Sequence, residues 1–548
     1  MTDFVLSGPQ RAWHRLKRFG YASPLYRLTL GGRPPAALAP LSLAPWPGDP
    51  EIGNAMFQGR FRFAETEAAA PNQPPWRLHP ENPAWSRDLH DFTWLRHFSA
   101  VGGQAAAQHA RRLVRSWIDL CGDWEPVFWD VDVVARRLTA WVSHAEFLLE
   151  DADAYFRAQF LASLDRQLRH LGRAAGGAVP GEPALAVAVA LVLGSLALPE
   201  SRGRLGRSVA LLMRELGQQL APDGGHLSRA PSRHMAALRQ IVLVREALAA
   251  GGQDVPLELQ IAIDRMVPML KAFRHGDGGL ALFNGGYEAG ADDVALTLAR
   301  AKAKGRALDN ARHSGFQRLA AGKSVAIVDC GPPESGPIPP QAHAGGLSFE
   351  FSTGRDRLVV NCGSGVGRDP AWQSAMRVTA AHSALVVEDT NSMELPGPGR
   401  WRLRAPPIVV ERNQDEEGNV WLVAASDGYL PRFGVQHKRR LYLAANGEDL
   451  RGEDSLVANR ADGPERRFRI RFHLHPEVHA NLVQDGSQAL LKLPSGQGWR
   501  FRAVGAVLSL EESVYLGRPD AVRRGEQLVL SAAAAGAGAT VKWAFRLI

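Results

Sequence analysis

The stretch that decides the fold runs from His343 to His382. It reads HAGGLSFEFSTGRDRLVVNCGSG over residues 343–365 and, after a loop, RVTAAHSALVVED over residues 377–389. Residues 347–353 and 358–361 are short apolar runs rich in β-forming residues, and the Gly-Arg-Asp sequence between them is typical of a hairpin turn. The pattern predicts two antiparallel strands, with a third strand beginning near residue 384.

Candidate metal ligands lie at the ends of these predicted strands. His343 opens the first strand, Asn361 and Cys362 close the second, and His382 precedes the third. Because neighbouring strand ends share one rim of a sheet, the two histidines and one of the other two side chains can form a metal constellation. The alternative is that the histidines belong to unrelated loops, and the spacing leaves both interpretations open.

Composition limits the class of protein. The chain has 548 residues, which exceeds the usual size of a single core and predicts two domains with extensions. Its three cysteines, Cys121, Cys330 and Cys362, exclude a disulfide framework and are typical of a reducing compartment. Lysine and arginine number 64 against 56 aspartates and glutamates, and the resulting net charge of +8 favours an anionic partner.

Targeting segments and nucleic-acid motifs are not evident in the sequence. The first 20 residues place their basic residues after the first apolar run, unlike a secretory signal. The longest apolar run, residues 184–198, is shorter than the roughly 20 residues of a membrane span. We therefore predict a cytoplasmic protein, with the periplasm as the alternative, no transmembrane segment and no nucleic-acid partner. The oligomeric state is open.

The composition of the chain changes twice along its length. Residues 1–90 are rich in Pro, Gly, Trp and Arg, with short candidate strands at residues 26–30 and 57–63, and we expect an arm packed on the following domain. Residues 91–310 contain consecutive helical segments joined by short breaks, which predicts stacked antiparallel helix pairs. Residues 315–548 carry many short β-rich runs with hairpin signals, which predicts a large antiparallel sandwich.

A second candidate site lies between two predicted helices. The sequence PDGGHLSRAPSRH over residues 222–234 ends one helix at Pro-Asp-Gly-Gly and precedes the next at its second proline. It brings His226, Arg229, Arg233 and His234 together, a cluster that can bind a carboxylate and hold an imidazole ready for proton transfer. The alternative is a polar loop with exposed charges.

Three lesser features each have a structural and a functional interpretation. Tyr287 follows a turn at residues 283–286 and could contact a substrate, although a plain turn is the simpler interpretation. Trp76 and Trp85 could stack on sugar rings, but aromatic anchors of the arm are commoner. Arg467 and Arg469 alternate along one predicted strand; they line either an acidic-glycan groove or, as we expect, the solvent face of the sandwich.

The stretch around His343 resembles the C-terminal domain of the heparinase II/III group of polysaccharide lyases. The resemblance rests on HAGGLSFEFSTGRDRLVVNCG followed by TAAHS, and it covers most of residues 90–548. It implies an α+β multidomain fold, with an N-terminal (α/α) toroid of helix pairs followed by a C-terminal antiparallel β-sandwich. In relatives that carry a structural zinc, the matching ligands would be His343, Asn361 and His382. Asn361 stands where an aspartate is expected, and Cys362 is the substitute ligand.

The resemblance also implies an activity, the β-elimination of an acidic, uronate-containing polysaccharide or oligosaccharide. Active relatives carry Gly-Asn-His-Leu before a helix where this chain has Gly181, Glu182 and Pro183. They carry a catalytic tyrosine where this chain has Arg233. The chain therefore resembles a divergent branch that lacks the usual Asn-His pair and tyrosine.

Removal of the weakly acidic C5 proton of a uronate needs a neutralised carboxylate and a base within hydrogen-bond reach. With the usual residues replaced, Arg229 and Arg233 are expected to neutralise the substrate carboxylate and His226 or His234 to act as the base. Tyr287 is expected to contribute to substrate binding. The alternatives are a catalytically inactive acidic-glycan-binding protein on the same scaffold, and a hydrolase or isomerase that uses the same cleft.

Overall fold

The computed structural model describes residues 19–33, 35–71, 73–78, 80, 82–331, 341–395, 408–460, 463–518 and 521–548. The first 18 residues, which carry most of the segment used for the export-signal prediction, lie outside this part of the chain. No helix in the described part is both long enough and apolar enough to cross a membrane.

Helices dominate the described chain up to residue 301, and strands follow from residue 310. The longer helices are Pro83–His90, Gly103–Cys121, Val131–Ser143, Ala154–Ala174, Glu182–Ala197, Leu205–Gln219, Pro231–Ala250, Leu257–Ala272 and Ala291–Ala301. Local capping fixes several of these starts; the Asp153 side chain, for example, accepts from the backbone N–H of Phe156 at 2.7 Å. The consecutive helices predicted within residues 91–310 are confirmed, for example by Ala154–Ala174, Glu182–Ala197 and Leu257–Ala272.

The N-terminal arm contains more helix than the sequence predicted. The strand predicted at residues 26–30 is wrong, because Pro24–Leu30 is a helix. The Ser23 hydroxyl accepts a hydrogen bond from the backbone N–H of Tyr26 at 3.2 Å, and a proline occupies the first turn, where its fixed φ suits a helix. The strand predicted at residues 57–63 is confirmed only for Arg60–Phe63, since the residues before it end the helix Pro50–Phe57.

The chain divides into two compact units, Met1–Gln219 with Arg239–Ala262, and Leu220–Leu238 with Ile263–Ile548. Side-chain bonds explain why part of the helical region belongs with the strands. His275 lies 2.9 Å from Glu350, and Arg357 donates to Asp277 at 2.8 Å. The domain limits predicted from composition, 91–310 and 315–548, coincide with the change from helices to strands. The compact units are divided elsewhere, because the second unit also includes helical residues.

Tryptophans form much of the core of the first unit. Trp76 and Trp85, considered above as sugar-stacking platforms, are buried, as is Trp117. Arg137 is fully buried beside Trp117, with its guanidinium carbon 4.0 Å from the centroid of that ring. Its Nε donates to Gln167 at 2.6 Å. Acceptors and an aromatic face thus offset part of the cost of burying this cation.

Two antiparallel sheets form the sandwich of the second unit. Its strands are β3 (Asn310–Ala311), β4 (Phe316–Ala321), β5 (Ser324–Asp329), β6 (Phe349–Thr353), β7 (Asp356–Val360), β8 (Leu385–Val387), β9 (Ile408–Gln414), β10 (Val420–Ser426), β11 (Val435–Leu443), β12 (Asp449–Ala458), β13 (Arg466–Leu474), β14 (His479–Val483), β15 (Gln488–Lys492), β16 (Gly498–Val504), β17 (Val507–Tyr515), β18 (Arg523–Ala534) and β19 (Gly538–Leu547). A separate hairpin pairs β1 (Arg60–Phe63) with β2 (Thr66–Ala69) in the first unit.

One sheet has eight strands in the order β14-β15-β16-β19-β12-β11-β10-β9. The other runs β17-β18-β13-β7-β6-β5-β4-β3, with β8 paired to β13. Aromatic side chains join the two sheets, as where Phe349 of β6 stacks on Trp543 of β19 with ring centroids 5.5 Å apart. Full burial of each such side chain contributes roughly 1.5–3 kcal/mol.

The hairpin predicted from the His343–His382 stretch is confirmed. Strands β6 and β7 pair antiparallel around a turn in which Gly354 has a φ of +53°, and β8 follows near the predicted position. Arg467 and Arg469 of β13 lie on the solvent face, as expected. His473, further along the same strand, is buried.

Candidate functional site

Asp223 fixes the loop over residues 222–234. Its carboxylate accepts from the backbone N–H of Ser314 at 2.7 Å and from the Ser314 hydroxyl at 2.5 Å. Gly224 follows with a φ of +85°, and a Cβ there would lie 2.2 Å from the carbonyl oxygen of Arg265. The Asp-Gly pair therefore has a structural role, since it holds the loop that carries four candidate residues.

Arg229 is buried, and its charge is matched inside the protein. Its guanidinium forms an ion pair with Asp329, and its Nε donates to the carbonyl oxygen of Ser314 at 2.9 Å. The Asp329 carboxylate also accepts from Asn284 Nδ2 at 3.1 Å and from the backbone N–H of Gly331 at 3.2 Å. The role predicted for Arg229, binding a substrate carboxylate, would therefore require Asp329 to give up a charge-assisted bond in a buried site.

His226 and His234 are buried and take part in internal hydrogen bonds. The backbone N–H of His226 donates to Nδ1 of His234 at 3.3 Å, and Nε2 of His234 donates to the carbonyl oxygen of Met266 at 2.9 Å. Nδ1 of His226 lies 2.8 Å from the Ser228 hydroxyl oxygen. Burial lowers the pKa of both imidazoles to about 4. Both rings are therefore neutral at pH 7, and both nitrogens of His234 hold the loop.

Arg233 and Tyr287 are the more accessible candidates of this region; Arg233 is half-buried and Tyr287 is exposed. The backbone N–H of Tyr287 donates to the Ser232 hydroxyl at 3.3 Å. Burial is the main cause of the low pKa of His226 and His343, and the positive charge of Arg233 adds to it in both cases. Arg233 thus lies near the loop histidine and near the first histidine of the predicted metal motif.

His343 and His382 lie next to each other, as the sequence predicted. Nδ1 of His343 is 3.2 Å from Nε2 of His382, and Nδ1 of His382 donates to the carbonyl oxygen of Val378 at 2.8 Å. Because a carbonyl oxygen can only accept, a neutral His382 carries its proton on Nδ1 and directs the lone pair of Nε2 at His343.

The other two predicted metal ligands point elsewhere. Oδ1 of Asn361 accepts from the backbone N–H of Ser383 at 3.0 Å, and its Nδ2 donates to the carbonyl oxygen of Leu282 at 3.0 Å. Sγ of Cys362 lies 3.5 Å from Nδ1 of His473, and burial raises the pKa of the thiol to about 12. The expectation that these side chains join the two histidines needs correction, because Asn361 is held by Ser383 and Leu282, and Cys362 faces His473 of β13.

This arrangement does not fit a zinc ion. Zinc needs several donors whose lone pairs converge on one point, whereas the Nε2 lone pair of His382 faces another imidazole and the Asn361 oxygen faces a backbone N–H. Within the described ranges, no group of three or more His, Cys, Asp or Glu side chains is placed to hold a metal ion. The histidine pair is instead a hydrogen-bonded contact between two loops of the motif.

Glu350 is the centre of a buried cluster that no sequence motif indicated. His275 lies 2.9 Å from a Glu350 carboxylate oxygen and 2.9 Å from the Ser352 hydroxyl. The other carboxylate oxygen accepts from the backbone N–H of Asn361 at 2.9 Å. The sequence did contain one signal for this cluster, an acidic residue within an apolar strand. A carboxylate that is buried there requires hydrogen-bonded partners.

A second cluster that the sequence did not reveal surrounds Glu288. Its carboxylate accepts from the Tyr515 hydroxyl and lies 3.6 Å from Arg357 Nη1 and 3.7 Å from His475 Nε2. Burial alone would raise the pKa of Glu288, but these partners hold it well below its usual range. Burial raises the pKa of Tyr515 well above its usual value, so this phenol keeps its proton and is not available as a base.

Comparisons with known proteins identify the scaffold. A family model described as heparinase II/III-like, C-terminal, matches residues 303–544. A crystal structure of heparinase III superposes with a TM-score of 0.72 over 98% of this chain and 91% of that chain, at 14% identity. The heparan sulfate lyase HepC from Pedobacter heparinus gives a TM-score of 0.60 over 95% and 87% of the two chains, at 15% identity. The predicted fold class, an (α/α) toroid followed by an antiparallel β-sandwich, is thereby confirmed.

A relative of known name matches almost the whole chain. FtsZ-localized protein C from Caulobacter vibrioides is 30% identical over 544 residues, which is 96% of this chain and 93% of that protein. The chain is therefore related to polysaccharide lyases in fold and to an FtsZ-localized protein in sequence. The family model and the structural matches show that the chain belongs to the heparinase II/III-like family.

Proposed function

We propose that this chain is a catalytically inactive member of the family and that it associates with FtsZ. The observation that carries the first part is the internal bonding of the candidate loop: Arg229 is paired with Asp329, and His226 and His234 hold the loop together. The second part is supported by the 30% identity, over nearly the full length of both chains, to a relative named as FtsZ-localized.

The candidate residues do not provide the base that β-elimination requires. A base must take the C5 proton while the adjacent carboxylate is neutralised. An imidazole with a pKa of about 4, as in His226 and His234, is a weak base at pH 7. Arg233 stands at the place of the family's tyrosine, and a guanidinium offers hydrogen-bond donors but no acceptor for a proton. These properties favour a protein that works by binding.

The second candidate is the activity implied by the resemblance, β-elimination on an acidic, uronate-containing polysaccharide or oligosaccharide. The hydrogen bond from the backbone N–H of Tyr287 to the Ser232 hydroxyl favours it, because this bond ties the segment of an exposed tyrosine to the residue that precedes Arg233. A guanidinium binds a carboxylate well, and a phenol can transfer a proton. Binding of the same glycan without turnover would be the inactive form of this candidate.

Two assays on the full-length chain separate the candidates. We expect the chain to pellet with GTP-assembled FtsZ polymers and to stay in the supernatant without them. We also expect no unsaturated-uronate absorbance from heparan sulfate, chondroitin sulfate or a polyuronate, with an active lyase as the positive control. New absorbance that is lost in Tyr287→Phe and Arg233→Ala variants would overturn the proposed inactivity. Failure to pellet with FtsZ would overturn the association.

A further inference from the structure

The outer face of the eight-stranded sheet carries an aromatic pair in which Trp421 is exposed and Tyr442 is half-buried. Trp421 of β10 and Tyr442 of β11 are directly opposite in register, and their ring centroids are 4.4 Å apart. Trp421 is 47% exposed, although the sandwich beneath it has a complete apolar core. The guanidinium carbon of Arg451 lies 5.3 Å from the centroid of the Tyr442 ring. Folding of the sandwich does not require these rings on the solvent face.

The strand register extends this pair into a row. Tyr442 is opposite Arg451, Arg451 is opposite Ala544, and Ala544 is opposite Arg502. Since neighbouring strands are about 4.8 Å apart, the row from Trp421 to Arg502 spans roughly 19 Å. We call these five residues the aromatic–arginine row. The small side chain of Ala544 leaves a shallow gap between the two arginines.

The charge around the aromatic–arginine row is positive. Three carboxylates lie on the same face: Glu411, opposite Val423, is exposed, whereas those of Asp449 and Glu453 are each shared between two cations. The cations are Arg451 and Arg546 for Asp449, and Arg440 and Lys542 for Glu453. Arg502 adds a further exposed positive charge at the end of the row. A partner bound here would gain from carrying negative charge.

We propose that the aromatic–arginine row is the docking surface for an acidic segment of a partner protein. Tryptophan, tyrosine and arginine are the side chains that contribute most at protein interfaces. The row crosses β10, β11, β12, β19 and β16, and each of these strands has a neighbour on both sides. The partner therefore binds through side chains, since no strand edge is available along the row.

The inclination of the rings favours a peptide over a sugar. The planes of Trp421 and Tyr442 are tilted by 51° to each other, so the two rings do not form one flat platform for a sugar ring. The arginines further along the row then meet the carboxylates of the same segment. This inference rests on the proposed function, because it supplies the surface that an inactive, partner-binding protein needs.

Binding of a fluorescent peptide tests the surface. The peptide consists of glutamates with one phenylalanine, and fluorescence anisotropy measures its affinity for the full-length chain. We expect Trp421→Ala and Arg502→Glu each to weaken binding at least about tenfold. The matched control is Arg524→Glu, an exposed position of the nine-stranded sheet, which should change affinity less than about twofold. Unchanged melting temperatures show that the variants are folded.

Each other outcome overturns the proposal. If the wild type does not bind the peptide, or if the control variant weakens binding equally, the row is not the docking surface. If heparan sulfate binds more tightly than the peptide, and this binding is lost in the Trp421 and Arg502 variants, the ligand of the row is a glycan and not a protein segment. The FtsZ pelleting assay reports on the proposed function separately: a wild type that binds the peptide through the row but does not pellet with FtsZ refutes the association and leaves the surface intact.

Discussion

Nδ1 of His343 lies 3.2 Å from Nε2 of His382, so two imidazoles 39 positions apart in the chain meet as a hydrogen-bonded pair. A metal bound by this motif would have to break that contact. We expect protein purified without chelator to contain far less than one zinc per chain, and its melting temperature to be unchanged by a chelator. Stoichiometric zinc that is lost in a His343→Ala/His382→Ala variant would show that the pair rearranges around a metal.

Removal of Arg229 should destabilise the protein. An Arg229→Met variant leaves the Asp329 carboxylate buried without its cation, which typically costs about 3–5 kcal/mol. Urea denaturation measures the free energy of unfolding, and an Arg229→Met/Asp329→Asn variant should recover much of the loss. Arg467→Met, at an exposed arginine, is the control and should change stability by less than about 0.5 kcal/mol. A similar, small effect at both arginines would mean that Arg229 has no structural role.

The stability of the protein should fall on acidification. The folded-state pKa of His226 and of His234 is about 4, below the value of 6.5 for an unperturbed histidine. As pH falls from 6.5 toward 4, the unfolded chain binds protons that the folded chain does not. Each histidine then lowers the free energy of unfolding by up to about 1.4 kcal/mol per pH unit, whereas above pH 6.5 its contribution is constant.

Denaturant titrations at several pH values measure this slope. A His234→Gln variant, which keeps a donor and an acceptor in the side chain, should show a shallower fall in stability between pH 6.5 and 4 than the wild type. Equal slopes in the two proteins would show that His234 titrates normally in the folded state.

The cysteines should be unreactive in the folded protein. All three are buried and free, and burial raises the pKa of Cys121 and of Cys362 to about 12. Because the thiolate is the reactive species, reaction with Ellman's reagent near pH 8 should be about 10³-fold slower in the native than in the unfolded state. Rapid modification of one thiol without denaturant would identify an accessible, lower-pKa cysteine.

The sequence by itself determined the order and type of most elements. Helices such as Ala154–Ala174 and the hairpin of β6 and β7 follow from local signals, namely the period of apolar residues, a capping side chain and a glycine turn. The adjacency of His343 and His382 was also predictable, because it depends on strand ends that are close in the chain. The helix Pro24–Leu30 was missed because a serine cap and a proline outweighed β-forming residues.

Only the tertiary structure decided what the candidate side chains do. Arg229 and Asp329 are 100 positions apart, and Glu288 and Tyr515 are 227 positions apart, so no local pattern pairs them. The row from Trp421 to Arg502 exists only because of the register of five strands. Burial and charge pairing depend on which segments pack together. For this reason Arg229, His226 and His234, which were predicted to act on a substrate, form internal contacts of the fold.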